Sequence, residues 1–175
     1  LMISAVDAAV EGGIGLVQLR ERDLPVDALH DLGRKLRSIT RNRALLFVSV
    51  VNFPQLEVAK AIGADGVQLP EKTLNIRDIR QTLDGSLRFI GSSVHSIKGS
   101  QQAEASGADF LILGTMFPSL THPGVHIGGP DLMEAVGSSA DVPVIGIGGI
   151  TANNAAAVIQ AGAKGVAVIR EVLGA

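Results

Sequence analysis

A segment reading Val17-Gln18-Leu19-Arg20-Glu21-Arg22 carries two guanidinium groups close together. Alternation along a strand puts Gln18 and Arg20 on one side, with Arg22 two residues further on. Each guanidinium is a planar fork of donors that matches phosphate or diphosphate oxygens, so the segment is a candidate anion site. A salt-bridged rim with Glu21 and Asp23 is the plainer alternative. A second candidate is Gly146-Ile147-Gly148-Gly149-Ile150 running into Thr151-Ala152-Asn153-Asn154. Paired glycines let backbone amides approach an anion, and Thr151 or Asn153 is placed to cap a helix whose positive end adds to the attraction. A tight packing turn would use the same glycines.

The long stretch from Thr115 to Gly129 holds Ser119, Thr121 and His122. Hydroxyls donate to phosphate oxygens, and an imidazole is suited to proton transfer, so His122 is the candidate catalytic acid–base and the stretch a candidate lid. A solvated loop with idle histidines remains open. His95, in Gly91-Ser92-Ser93-Val94-His95-Ser96, either shapes a pocket or, with Ser96, caps a helix. Carboxylates at strand ends are few, Glu21 after one strand and Glu71 after another. No metal site and no cofactor are expected.

Composition narrows the function classes. Fifteen Lys plus Arg against 17 Asp plus Glu leave a net charge of −2, and neither Trp nor Tyr is present, which argues against a nucleic-acid partner. Cysteine is absent, which removes disulfides, thiolate metal centres and Cys nucleophiles and is compatible with a reducing compartment. Apolar runs such as Ala44 to Val51 fall short of the roughly 20 residues a membrane helix needs. No signal-peptide pattern opens the chain. The expectation is a cytoplasmic protein with no membrane partner, its 175 residues, 46% hydrophobic, folding as one domain over 1–175.

The elements that must position these residues announce themselves by repetition. One phrase recurs four times: Gly12-Gly13-Ile14-Gly15-Leu16-Val17-Gln18-Leu19, Gly63-Ala64-Asp65-Gly66-Val67-Gln68-Leu69, Gly107-Ala108-Asp109-Phe110-Leu111-Ile112-Leu113 and Gly162-Ala163-Lys164-Gly165-Val166-Ala167-Val168. Each copy follows an Ala-rich segment, so its first Gly reads as a helix C-cap and its apolar run as a buried parallel strand. Ala44 to Val50, Arg88 to Ser92 and Pro143 to Ile147 add three strands of the same kind. Helices are predicted over Met2 to Glu11, Pro25 to Thr40, Phe53 to Ile62, Ile76 to Leu83, Ile97 to Ser106, Pro130 to Val136 and Asn153 to Ala161. Seven regularly spaced strand–helix units predict an α/β fold, a (βα)8 TIM barrel lacking its first strand and last helix; a natural seven-stranded open form is the alternative. The working residues of such a barrel lie after its strands, and its usual phosphate site uses the loops after strands seven and eight. Counting the missing strand, those are the Gly148-Gly149 loop and the end of the last strand at Ile169-Arg170.

Val17-Gln18-Leu19-Arg20-Glu21-Arg22, Gly63 to Pro70, Gly91-Ser92-Ser93-Val94-His95-Ser96, Gly114-Thr115-Met116-Phe117-Pro118-Ser119 and Ile147-Gly148-Gly149-Ile150-Thr151, in this order along the whole chain, resemble the thiamine phosphate synthase and TenI family. The resemblance implies a barrel and a role in thiamine biosynthesis. In the synthase branch an aminopyrimidine diphosphate is joined to a thiazole phosphate, with magnesium on the diphosphate. By motif, Gln18 and Arg20 match diphosphate-binding positions, and Arg22 stands where the synthase has Lys. Ser119, Thr121 and His122 fall on its Thr-x-Thr-Lys loop, Gly148 and Gly149 match its thiazole-phosphate glycines, and Arg170 replaces a last-strand Ser.

The departures point elsewhere. The synthase's Asn-Asp pair is replaced by Val48-Ser49-Val50-Val51-Asn52, and its second magnesium carboxylate falls near Lys72-Thr73. The TenI branch isomerises a thiazole phosphate without metal. Gln68-Leu69-Pro70 resembles that branch, although Thr115 stands at its histidine position. The first expectation is therefore a TenI-like, metal-independent tautomerase. His122 would move the proton; Gln18, Arg20, Arg22, Ser119, Thr121, Gly148, Gly149, Ile169 and Arg170 would bind phosphate or diphosphate, in a pocket shaped by Ser49, Gln68, His95 and Thr115. The alternatives are a thiamine phosphate synthase using Mg2+ and both substrates, or a non-catalytic sensor of thiazole or thiamine phosphate. The resemblance also implies a possible homo-oligomer.

Overall fold

Each recurring glycine phrase closes one helix and opens the next strand. At Gly63 the backbone turns left-handed, φ 66°, so that Gly63 N donates to Lys60 O and Ala64 N to Ala59 O; Gly107, φ 96°, repeats this with Glu104 and Ala103. A computed structural model describes residues 2–72, 74–83, 85–118 and 127–174. In chain order it contains α1 (Met2–Glu11), β1 (Leu16–Leu19), α2 (Val26–Thr40), β2 (Leu45–Ser49), α3 (Phe53–Ala61), β3 (Gly66–Leu69), α4 (Ile76–Thr82), β4 (Phe89–Val94), α5 (Ile97–Ala105), β5 (Phe110–Gly114), α6 (Gly129–Gly137), β6 (Val144–Ile147), α7 (Ala155–Gln160), β7 (Gly165–Ala167) and α8 (Arg170–Leu173). The sheet order is β1-β2-β3-β4-β5-β6-β7, the strand succession of an incomplete (βα)8 barrel, as predicted.

Most boundaries shift from the prediction by a residue or two, and the ends of β4 and β7 shift for a reason that can be named. β4 runs on to Val94, since Ser93 and Val94 pair with Ile112 and Leu113. β7 stops at Ala167 rather than at Ile169-Arg170: its partner β6 ends at Ile147, after which Gly148 turns the chain at φ 101°, leaving nothing to pair with residue 168 onward. Ile169 lies outside any strand, and Arg170 opens the one-turn helix α8.

By its contacts the chain divides into two units, Leu1–Ile90 with Val172–Ala175, and Gly91–Glu171. In the first, Leu19, Leu46, Val48, Val67 and Leu69 are buried. Leu19 reaches Gly33 of α2, so this set faces the helices. The opposite parity carries Gln18, Phe47, Ser49, Gly66 and Gln68, in register Gln18↔Phe47↔Gly66 and Ser49↔Gln68. Gly66 is glycine because a Cβ there would sit 2.6 Å from Phe89 O and 3.0 Å from the Phe47 ring, which stacks on Phe89 at 6.0 Å. α3 begins with a reciprocal cap: Asn52 Oδ1 accepts from Gln55 N, and Gln55 Oε1 from Val51 N.

At the opposite strand end of this unit, Asp65 ties several segments together. Its Oδ2 accepts from Arg37 Nη1 at 2.6 Å and Leu46 N at 2.8 Å, and its carbonyl accepts from Arg88 N and Phe89 N. Removing only the carboxylate leaves a half-buried guanidinium and an amide without their acceptor. Asp65→Ala is expected to lower unfolding free energy by about 2 kcal/mol, read as a lower denaturant midpoint at unchanged m.

In the second unit, Leu111, Leu113, Met133, Val136, Val144 and Val158 form the core. A Cβ on Gly146 would meet Val158 at 2.5 Å and Met133 at 3.2 Å, so Gly146 and its register partner Leu113 face α6 and α7. Ile145, Ile147 and Ile112 occupy the other face. Ser96 caps α5 through Gly99 N, and Glu104 Oε1 accepts from Asp141 N and Val142 N ahead of β6.

Candidate functional site

In the first unit, the register places Arg20, one residue past the end of β1, level with Ser49 and Gln68. Ser49 and Gln68 are buried at 7% and 2% exposure; Gln18, one layer below, is half-buried. A guanidinium, a hydroxyl and a carboxamide thus share a row at the strand ends, on the face turned from the helices. Partial burial lowers the pKa of Arg20, Arg22 acts in the same direction, and Glu21 opposes. Arg20 is nonetheless exposed, so it is a cation that keeps most of its hydration and can reach an anion from solvent. The alternative, a rim of ion pairs with Glu21 and Asp23, is not found among the described residues. Arg22 does not continue the alternation, because β1 ends at Leu19 and Arg22 sits in an exposed bend.

In the second unit, the glycine pair is built against the segment that follows β5. Met116 N donates to Ile147 O at 3.0 Å and Phe117 N to Gly148 O at 2.9 Å. A Cβ on Gly148 would lie 2.7 Å from Thr115 Cγ2; one on Gly149, φ 63°, would lie 2.5 Å from Phe117 O and 2.6 Å from Pro118 O. The tight packing turn and the amide-bearing turn are therefore the same object. Carbonyls of Ile147 and Gly148 point into the packing, and the N–H groups of Gly148, Gly149 and Ile150 donate to no acceptor among the described residues. Successive amides of this kind make an anion-binding concavity.

The cap assigned to Thr151 or Asn153 is neither. Asn154 precedes α7, and its side chain turns back: Oδ1 accepts from Thr151 N at 2.8 Å, and Nδ2 donates to Gly149 O at 3.0 Å. α7 has six residues, so the expected helix-end attraction is small and the turn itself holds the donors. Ser96, without His95, forms the cap of α5; His95 is exposed directly after β4. Thr115 is half-buried, and its carbonyl accepts from Gly128 N at 3.0 Å, drawing the two ends of the β5–α6 connection together. Ile169, 54% exposed, and Arg170, at the start of α8, are not the strand-end residues they were expected to be. Ser119, Thr121 and His122 lie outside the described residues. Asn154 is the residue that sequence reasoning passed over; its signal was an Asn three residues after Thr151, a spacing at which its amide can accept from Thr151 N.

Among the described residues no group of three or more His, Asp or Glu side chains comes together to hold a metal. The carboxylates that follow strands, Glu21 after β1 and Glu71 after β3, stand on different connections. No described helix is long and apolar enough to cross a membrane.

The TMP-TENI family, described as thiamine monophosphate synthase, matches residues 2–172. The chain is 40% identical over 172 residues to the thiamine biosynthesis bifunctional protein ThiED of Geobacter sulfurreducens, covering 98% of this chain and 34% of that protein. It spans about a third of that relative's length. It is also 40% identical over 171 residues to the thiamine-phosphate synthase of Haloarcula marismortui, covering 95% of this chain and 79% of that one. Among solved structures, a thiamine phosphate pyrophosphorylase from Pyrococcus furiosus superposes with a TM-score of 0.89 at 35% identity, covering 100% of this chain and 82% of that one.

Proposed function

The chain belongs to the thiamine monophosphate synthase family, and from that premise we propose that it is a thiamine-phosphate synthase, joining an aminopyrimidine diphosphate to a thiazole phosphate. The observation that carries this over the tautomerase expectation is similarity along nearly the whole chain to proteins named as synthases. In the reaction the bond from the pyrimidine methylene carbon to the diphosphate oxygen breaks, the thiazole ring nitrogen supplies the electron pair of the new C–N bond, and diphosphate leaves with both electrons of the broken one.

Arg20, partly desolvated and level with Ser49 and Gln68, would hold the diphosphate and take up charge as it departs, with Gln18 below and Arg22 at the rim. The amides of Gly148, Gly149 and Ile150 would hold the phosphate of the thiazole. A phosphate ester anchored by backbone donors is oriented by a part of the molecule that does not react.

A second reading keeps one observation in its favour: the scarcity of carboxylates at the strand ends suits a metal-independent thiazole phosphate tautomerase with His122 as the proton carrier. The deciding experiment is thiamine phosphate formation from both substrates, with and without magnesium. The expected result is product. Absence of product under both conditions, together with turnover of the thiazole phosphate tautomer that His122→Gln abolishes, would replace the synthase reading by the tautomerase one. Tight phosphate-ester binding with neither turnover would leave a sensor.

A further inference from the structure

Three consecutive peptide planes after β6 are oriented by what holds their carbonyls. In a trans peptide the C=O and the following N–H point in opposite directions. Ile147 O is held by Met116 N, which sends Gly148 N–H the other way; Gly148 O is held by Phe117 N, which does the same for Gly149 N–H. The third carbonyl, Gly149 O, is held by a side chain, Asn154 Nδ2 at 3.0 Å, and the opposed donor is Ile150 N–H. The other end of the same carboxamide, Oδ1, accepts from Thr151 N and so removes the next amide from the set.

We infer that Asn154 is a positioning residue for anion binding, its carboxamide locking the Gly149–Ile150 peptide so that Ile150 N–H, and not Gly149 O, faces the anion. This rests on the reading of the Gly148–Ile150 turn as a phosphate site. The lock is needed because Gly149 has no side chain to restrain it, so a plane without its tether can rotate at little cost. A rotated plane exchanges a donor for a carbonyl oxygen facing the phosphate, replacing attraction by repulsion. The tether comes from α7, whose first turn is set by Ala155 N on Thr151 O. The direction of Ile150 N–H is therefore a property of that helix start.

The test is a titration of the 15N-labelled full chain with inorganic phosphate, following the amides of Gly148, Gly149 and Ile150, for the wild type, Asn154→Asp and Asn154→Ser. Asn154→Asp keeps the acceptor for Thr151 N and loses the donor to Gly149 O. Glu104→Ala serves as a stability control, since it removes the acceptor of Asp141 N and Val142 N without touching the turn. The wild type is expected to shift all three amides. Both Asn154 variants should bind phosphate at least roughly tenfold more weakly, the loss of one hydrogen bond to a charged group, with the Ile150 response most reduced. Glu104→Ala should bind as the wild type does. In turnover, KM for the phosphate-bearing thiazole should rise with kcat nearly kept. Unchanged phosphate affinity in a folded Asn154 variant overturns the inference and leaves the phosphate site standing. No amide response in the wild type overturns the site and the inference together. Equal weakening by Glu104→Ala assigns the effect to stability and also overturns it.

Discussion

Gly149→Ala is expected to weaken inorganic phosphate binding by about a hundredfold or more and to lower unfolding free energy by about 2–4 kcal/mol. Two costs combine. A φ of 63° strains any L side chain by roughly 1–2 kcal/mol, and the added methyl would stand 2.5 Å from Phe117 O and 2.6 Å from Pro118 O. Those oxygens belong to backbone and cannot swing aside as a side-chain tip would. The turn must move away from the segment after β5, which breaks the bonds from Met116 N to Ile147 O and from Phe117 N to Gly148 O that aim the donors. Gly13→Ala separates the two costs: φ there is 94°, yet nothing lies within 4 Å of the added Cβ. It should lose only about 1–2 kcal/mol and no phosphate affinity. Isothermal titration with phosphate and denaturant unfolding on both variants check this. Equal effects would mean that conformation alone, and not the seat against Phe117 and Pro118, makes the turn what it is.

Arg20→Met should reduce kcat/KM for the aminopyrimidine diphosphate by roughly 10²–10³-fold, the usual cost of losing one charge-stabilising donor in a preorganised site. Arg22→Met should cost roughly fivefold at most, as an exposed charge screened by water does. The two residues differ in placement, not in chemistry. Both guanidiniums are exposed, but Arg20 directly follows β1, level with the buried pair Ser49 and Gln68, and desolvation lowers its pKa, whereas Arg22 lies in a bend beyond the strand. Initial rates over a range of diphosphate concentration decide it. Comparable losses in the two variants would place the diphosphate at the rim and remove Arg20 from its special position.

Much of this was legible beforehand for a physical reason. A buried parallel strand needs a run of apolar residues and a helix needs a C-terminal glycine turn, so Gly63-Ala64-Asp65-Gly66-Val67-Gln68-Leu69 and its three relatives wrote the strand–helix alternation in local composition. α1 begins and ends where it was predicted, at Met2 and Glu11, for that reason. Period-two alternation likewise placed Gln18 on one face and Leu19 on the other. What went astray depended on partners distant in sequence. Ile169 and Arg170 looked like strand ends because they close the apolar run Val166-Ala167-Val168-Ile169, but β7 can extend only as far as β6 offers hydrogen bonds, and Gly148 ends that offer.

The sequence by itself determined the seven strand–helix units and the glycine pair that follows β6, because each of these is encoded within about ten residues by period, cap and conformational permission. Only the tertiary structure decided that Ser49 and Gln68 stand side by side, that Thr115, Phe117 and Pro118 close over the glycines, and that Asn154 reaches back to Gly149. Register and the direction of a peptide plane are set by hydrogen bonds between segments that meet only when the chain has folded, and residue type alone leaves both undetermined.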